Sequence, residues 1–177
     1  MIKSPLHPPR TAVEVFKMLP EGVNCQVIEN VLYMSPAPSF NHQDVVSEIL
    51  TQIRLATGKS KVGKCVASPI DVFLDSENAY QPDIVFIKST SLSIIKEDGK
   101  IYGVPELIVE VLSTGNREHD LIKKKMVYER CGVKEYFIVE PSSKEVITYY
   151  LKSKKFEEQK SVKGKIVSGL LKKTFKF

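Results

Sequence analysis

The chain has 177 residues, a formal net charge of +5, and 42% apolar and 27% charged residues, the proportions of an ordinary soluble globular protein. That length suits one domain with a full core, without disulfides or a structural metal. The opening MIKSPLHPPR has no apolar targeting core, no run approaches the ~20 apolar residues of a membrane span, and the three cysteines, Cys25, Cys65 and Cys131, are isolated and share no metal-ligand spacing. A cytoplasmic protein with reduced thiols and no membrane contact is the expectation. The basic excess is local: from Leu151 onward nine lysines face only Glu157 and Glu158, so this tail carries +7 and the rest −2.

Residues 1–10 are Pro-rich and read as an extended arm before a single domain over 11–177. From Thr11 the pattern predicts a short helix with Ala12, Val15, Phe16 and Leu19 on one face, stopped at Pro20-Glu21-Gly22. CQVIENVLYM, Cys25 to Met34, reads as a hairpin turning at Glu29-Asn30. Ser39 or Asn41 can cap a helix running to about Ala56, with Val45, Val46, Ile49 and Ile53 as its buried stripe and His42 on the same stripe. A lone histidine on such a face is more often a hydrogen-bonded core residue than a catalytic one. Strands are expected around Gly63 to Ala67 and Ile70 to Leu74, where Asp71 either lines a cleft or simply ends a strand. A polar connection with a short helix and an Asp98-Gly99 turn follows. Glu135 to Val139, Val146 to Tyr150 and Phe156 to Val162 complete the strands, and a lysine-rich segment closes the domain.

The informative stretch runs from Gln81 to Tyr136. Asp83 follows Pro82 and opens the strand-like run Ile84 to Ile87. Glu110 lies inside Leu107-Ile108-Val109-Glu110-Val111-Leu112, a run of the kind buried on both faces. A lone carboxylate there costs several kcal/mol or must protonate. Two such acids are easier to bury if they share a divalent cation, and oxygen ligation by one or two carboxylates with water and phosphate is what Mg²⁺ prefers. The bland alternatives are a strand-capping aspartate and an ion-paired strand glutamate. A helix then opens near Asp120, stacking Asp120, Lys124 and Tyr128 on one face at i, i+4 and i+8. Lys124 or Lys125 could reach the acids, and periodicity alone does not choose between them; an exposed Asp120–Lys124 pair is the structural alternative. Glu106, just after Pro105, reads as peripheral, and the Lys123-Lys124-Lys125 triplet and the tail lysines are either solvated faces or nonspecific phosphate contacts. No nucleophile elbow, Gly-rich phosphate loop or zinc spacing competes.

Pro82-Asp83, then ELIVEVLS with Glu110, then HDLIKKKMVYERCGVKEYFIVEP resemble the restriction-endonuclease family often called Uma-two, within the PD-(D/E)XK nuclease superfamily. The likeness runs from about Val27 to about Leu171. It implies an α/β (α+β) restriction-endonuclease-like fold, a mixed central sheet flanked by helices. It also implies a Mg²⁺-dependent endonuclease, with Mn²⁺ able to substitute, that cleaves DNA and forms a homodimer. Asp83 and Glu110 then hold the metal. The superfamily's lysine two positions after the glutamate is replaced here by Leu112, and the family's placement on the following helix selects Lys124 as the third catalytic residue. The family also has a histidine where His42 stands, and a glutamate where this chain has Gln26. The alternative in a different class is a nuclease-fold protein that binds nucleic acid or protein without cutting.

Overall fold

The computed structural model describes residues 8–58, 61–113 and 119–177, the side chains of 119–121 excepted. Thr11 accepts a hydrogen bond from Glu14 N and caps α1 (Ala12–Met18). The expected hairpin is present as β1 (Cys25–Ile28) and β2 (Val31–Met34). Its tip residues Glu29 and Asn30 adopt φ 50° and 59°, the left-handed pair that a tight hairpin turn requires. Ser39 caps α2 (Phe40–Gly58), its Oγ accepting from His42 N at 3.3 Å. Then come β3 (Gly63–Ala67), β4 (Val72–Phe73), β5 (Ala79–Tyr80) and β6 (Ile84–Lys88). A 3₁₀ turn over Ser89–Ile94 leads to β7 (Ile101–Tyr102) and β8 (Leu107–Val111). π-helical turns over His119–Lys124 run into α3 (Lys125–Cys131), which Gly132 ends in the left-handed region at φ 94°. The chain finishes with β9 (Glu135–Glu140), β10 (Glu145–Lys152), β11 (Lys155–Lys163), β12 (Lys165–Ser168) and β13 (Lys173–Lys176).

The strands form a mixed six-stranded central sheet, β11-β10-β9-β8-β6-β3, a five-stranded sheet, β2-β1-β5-β4-β7, and the β12–β13 pair. Strict alternation along the central strands sorts the core. Ile84, Phe86, Leu107 and Val109 face α2 and the β12–β13 hairpin, packing on Val45, Ile49, Ile53 and Ile166. Val85, Ile87, Ile108 and Leu112 face the other way, onto α3 and the second sheet through Tyr128, Val127, Tyr80 and Val72. α1 closes the outer face of the second sheet with Val13 and Phe16. Within the central sheet only β8 and β9 pair in parallel, which demands a long crossover, and α3 supplies it. Among the described residues no helix is long and apolar enough to cross a membrane.

The expected fold class is therefore present, with a second sheet on one side in place of helices alone. Three local expectations change. In α1 it is Val13 that is buried while Val15 is exposed, because the helix docks through the Val13–Phe16 edge. The Ile70–Leu74 strand shrinks to Val72–Phe73. The lysine-rich end folds into β12 and β13, burying Ile166 and Phe175 and leaving Lys173 and Lys176 outside. Most of the N-terminal arm and residues 114–118 lie outside the described residues.

One buried acid locks that end in place. Glu135, at the start of β9, accepts from Ser168 Oγ at 2.6 Å and from Leu170 N at 2.7 Å. Burial pushes its carboxyl above the ordinary glutamate range, outweighing the lowering by those donors. The native state thus binds more protons than the unfolded chain just above that range, and this group's contribution to stability falls as pH rises through it. Glu135→Ala is expected to lose about 2 kcal/mol in urea unfolding, since a hydroxyl and an amide are left unpaired, and Glu135→Gln to remove this component of the pH dependence.

Candidate active site

Asp83 stands immediately before β6, and the strand that pairs with β6 is β8, which carries Glu110. Ile84 pairs with Val109 and Val85 with Ile108; continued one step outward, that register would set Asp83 across from Glu110. Opposed residues share a face with Cβ atoms about 5 Å apart. The shared face is that of Val85 and Ile108, toward α3 and the second sheet.

Each acid has its own support. Asp83 Oδ2 accepts from Val111 N at 2.7 Å and lies 3.3 Å from His42 Nε2. His42 comes from the first turn of α2, on the opposite side of the sheet, and reaches past the strand end. Its burial pushes the imidazole toward neutrality, but the hydrogen bond and charge of Asp83 prevail, so it titrates above the usual histidine value. His42 Nδ1 is buried with no hydrogen-bond partner among the described residues. Glu110 Oε1 accepts from Lys124 Nζ at 2.9 Å and from Tyr128 Oη at 2.8 Å. Lys124 and Tyr128 stand at i and i+4 and so project from one helix face onto one oxygen. The Lys124 ammonium is also 5.9 Å from the centre of the Tyr80 ring, which packs edge-on against Tyr128. Burial, with the Glu110 charge beside it, holds the Tyr128 hydroxyl well above its ordinary pKa, so it remains a donor.

Asp83, Glu110, Lys124 and His42 line one cavity of about 640 Å³. Its other walls include Asn24 to Gln26 in and before β1, Ser35 to Ser39 and Asn41 before and into α2, and Glu140 to Ser142 at and after the end of β9. The sequence-based expectations for Asp83, Glu110 and Lys124 thus converge on one space. Lys125 turns away to the Tyr149 ring, 4.4 Å from its centre. Gln26 is buried on the cavity wall. Asp71 does not line it: Lys100 holds Oδ2 at 2.7 Å and Gln81 Nε2 holds Oδ1 at 2.9 Å, so Asp71 orients Gln81, which does. Glu106 is peripheral, accepting from Lys88 N and Ser91 Oγ. The Asp120 side chain lies outside the described residues.

Tyr128 and the His42–Asp83 contact are what residue patterns missed. The i, i+4 spacing from Lys124 pointed at Tyr128 without giving it a role, and no local pattern joins His42 to Asp83, which are 41 residues apart.

The donor set suits a small hard cation. Both acids offer oxygen, and among the described residues no third His, Cys, Asp or Glu completes a protein-only cluster. That leaves water and phosphate to fill the shell, as Mg²⁺ favours.

Removing the cation from the Glu110 cluster leaves a buried carboxylate with only part of its support, which costs about 3 kcal/mol or more. Lys124→Met is expected to lose that much in chemical denaturation, while Glu110→Gln/Lys124→Met recovers part of it. The coupling energy of this double-mutant cycle measures the pair directly.

The family model described as "Putative restriction endonuclease" (Uma2) matches residues 12–171. Among curated proteins none matches the chain. Among solved structures, that of "a putative nuclease belonging to DUF820" from Anabaena variabilis is similar, with a TM-score of 0.68 and 19% identity over 85% of this chain and 84% of that one. At that identity the likeness is one of fold. The matched region contains every residue that lines the cavity, and the chain belongs to the Uma2 family.

Proposed function

We propose that the protein is a metal-dependent endonuclease that hydrolyses DNA phosphodiesters, with Asp83 and Glu110 as the ligands of Mg²⁺ or Mn²⁺ and Lys124 as the third catalytic residue. The observation that carries this reading is that Asp83, just before β6, and Glu110, within β8, line one cavity together with Lys124.

A divalent cation there would polarise a phosphoryl oxygen and lower the pKa of a water. The chain's own groups do the rest. Val111 N and His42 fix one Asp83 oxygen, so the carboxylate is aimed before a ligand arrives. Tyr128 and Lys124 fix Glu110 in the same way. Lys124, already oriented, is placed to hold the attacking water or to offset charge growing on the phosphoryl oxygens. The water oxygen forms the new P–O bond as the bond to the leaving sugar oxygen breaks, the water's proton passing to solvent and the departing oxygen taking a proton from solvent to become a hydroxyl, with no covalent enzyme intermediate. Hydroxyl and amide groups of Ser35, Ser39, Asn41 and Ser142 at the cavity wall suit phosphate and sugar contacts, which position a strand without reading its sequence.

Gln26 favours the competing reading, a nuclease-fold binding module, because a neutral amide sits on the cavity wall where a further acid would strengthen metal binding. Plasmid cleavage with Mg²⁺ or Mn²⁺ separates the two. Wild type is expected to nick or linearise DNA, and Asp83→Asn and Glu110→Gln each to lower the rate by at least a hundredfold. Cleavage that survives both substitutions would end the assignment. Calorimetry showing no Mg²⁺ or Mn²⁺ uptake, with DNA still bound, would favour the binding module.

A further inference from the structure

A second cavity, of about 610 Å³, opens at the far end of α2. His42 near the start of that helix lines the first cavity and Leu55 near its end lines the second, a separation of roughly 20 Å at 1.5 Å per residue. Its floor is apolar: Leu55, Val62, Phe86 and Leu171 face the space, and Leu55 and Val62 remain 62% and 41% exposed. Its rim is cationic, from Lys88, Lys172 and Lys173, with the hydroxyls of Ser89 and Thr90 beside them. No aspartate or glutamate lines it. Glu135 draws on the charge of Lys88 from behind. Lys172 and Lys173 make no ion pair among the described residues.

We propose that this cavity binds a single-chain amphiphile with an anionic head, of the fatty-acid class. The volume falls within the range of small-molecule sites, which are concave, mostly apolar and carry a few convergent polar groups. An apolar chain covers the leucines and valine that the fold leaves wet. A carboxylate at its end meets two ammonium groups that make no ion pair among the described residues. The site is independent of the acids at the other end of α2 and requires no metal.

The test is calorimetric titration with monomeric dodecanoate and with dodecanol, together with backbone amide shift mapping on the wild-type chain. Dodecanoate is expected to bind one to one, at least tenfold more tightly than dodecanol, and to shift the amides of Leu55, Val62 and Leu171. Lys172→Glu/Lys173→Glu and, separately, Leu55→Gln are expected to weaken it tenfold or more. Equal affinity for the alcohol, shifts confined to the Asp83 end of the molecule, or uptake by phosphatidylglycerol vesicles without binding of monomeric dodecanoate would each overturn the proposal. Should the charge-reversed chain fail to fold, Leu55→Gln and the wild-type shift map decide the matter.

Discussion

A carboxylate in the middle of a strand buried on both faces is the constraint that the rest of this molecule answers. Glu110 is 3% exposed, between Val109 and Val111 that face α2. Left alone, it would cost more than a domain's typical stability margin can bear easily. The fold answers by setting α3 so that an ammonium and a phenol project from it onto one oxygen of that acid. The aromatic packing around them follows from the same placement. Tyr80 and Tyr136 both meet Tyr128 edge-on, which rigidifies the hydroxyl. The buried charge therefore specifies the rotation of α3 about its axis, a role for buried ion pairs that apolar packing would fill less selectively.

Asp83 solves a different problem. It lies at the strand end, where the backbone begins to leave the sheet, and one oxygen takes a backbone N–H of the neighbouring strand. His42 of α2 reaches Asp83, while Lys124, in the turns leading into α3, reaches Glu110. The two acids are thus held from opposite layers. A cation between them would be held by both layers together, so preorganisation of the pocket and stability of the layer packing are linked.

The near-continuous apolar runs Ile84 to Ile87 and Leu107 to Leu112 made both strands legible, and the cost of a lone buried acid made Asp83 and Glu110 stand out before any coordinates. Most element boundaries followed from residue patterns, whereas the fold class came from the family resemblance. Periodicity left Lys124 and Lys125 open, and only the family resemblance selected Lys124. The choice is decided by tertiary contact, with Tyr149 receiving the unused ammonium. The splitting of the strands into two sheets was equally hidden: β4, β5 and β7 are two residues each, too short to show a period, and their pairing depends on partners far away in sequence. The terminal hairpin was masked by its lysines, since only Ile166 and Phe175 turn inward.

Lys124 carries two obligations that pull against each other. As the partner of a buried carboxylate it should be fully engaged, and under the function proposed above, as a group acting on a phosphoryl centre, it would need to retain interaction to give as charge develops. The geometry reconciles them through Tyr128. Because the hydroxyl supplies a second donor to Glu110 Oε1, the acid keeps support when the ammonium shares its field with an incoming phosphate. Stability and chemistry thus draw on the same atoms, and their separation rests on a neutral phenol that burial prevents from ionising.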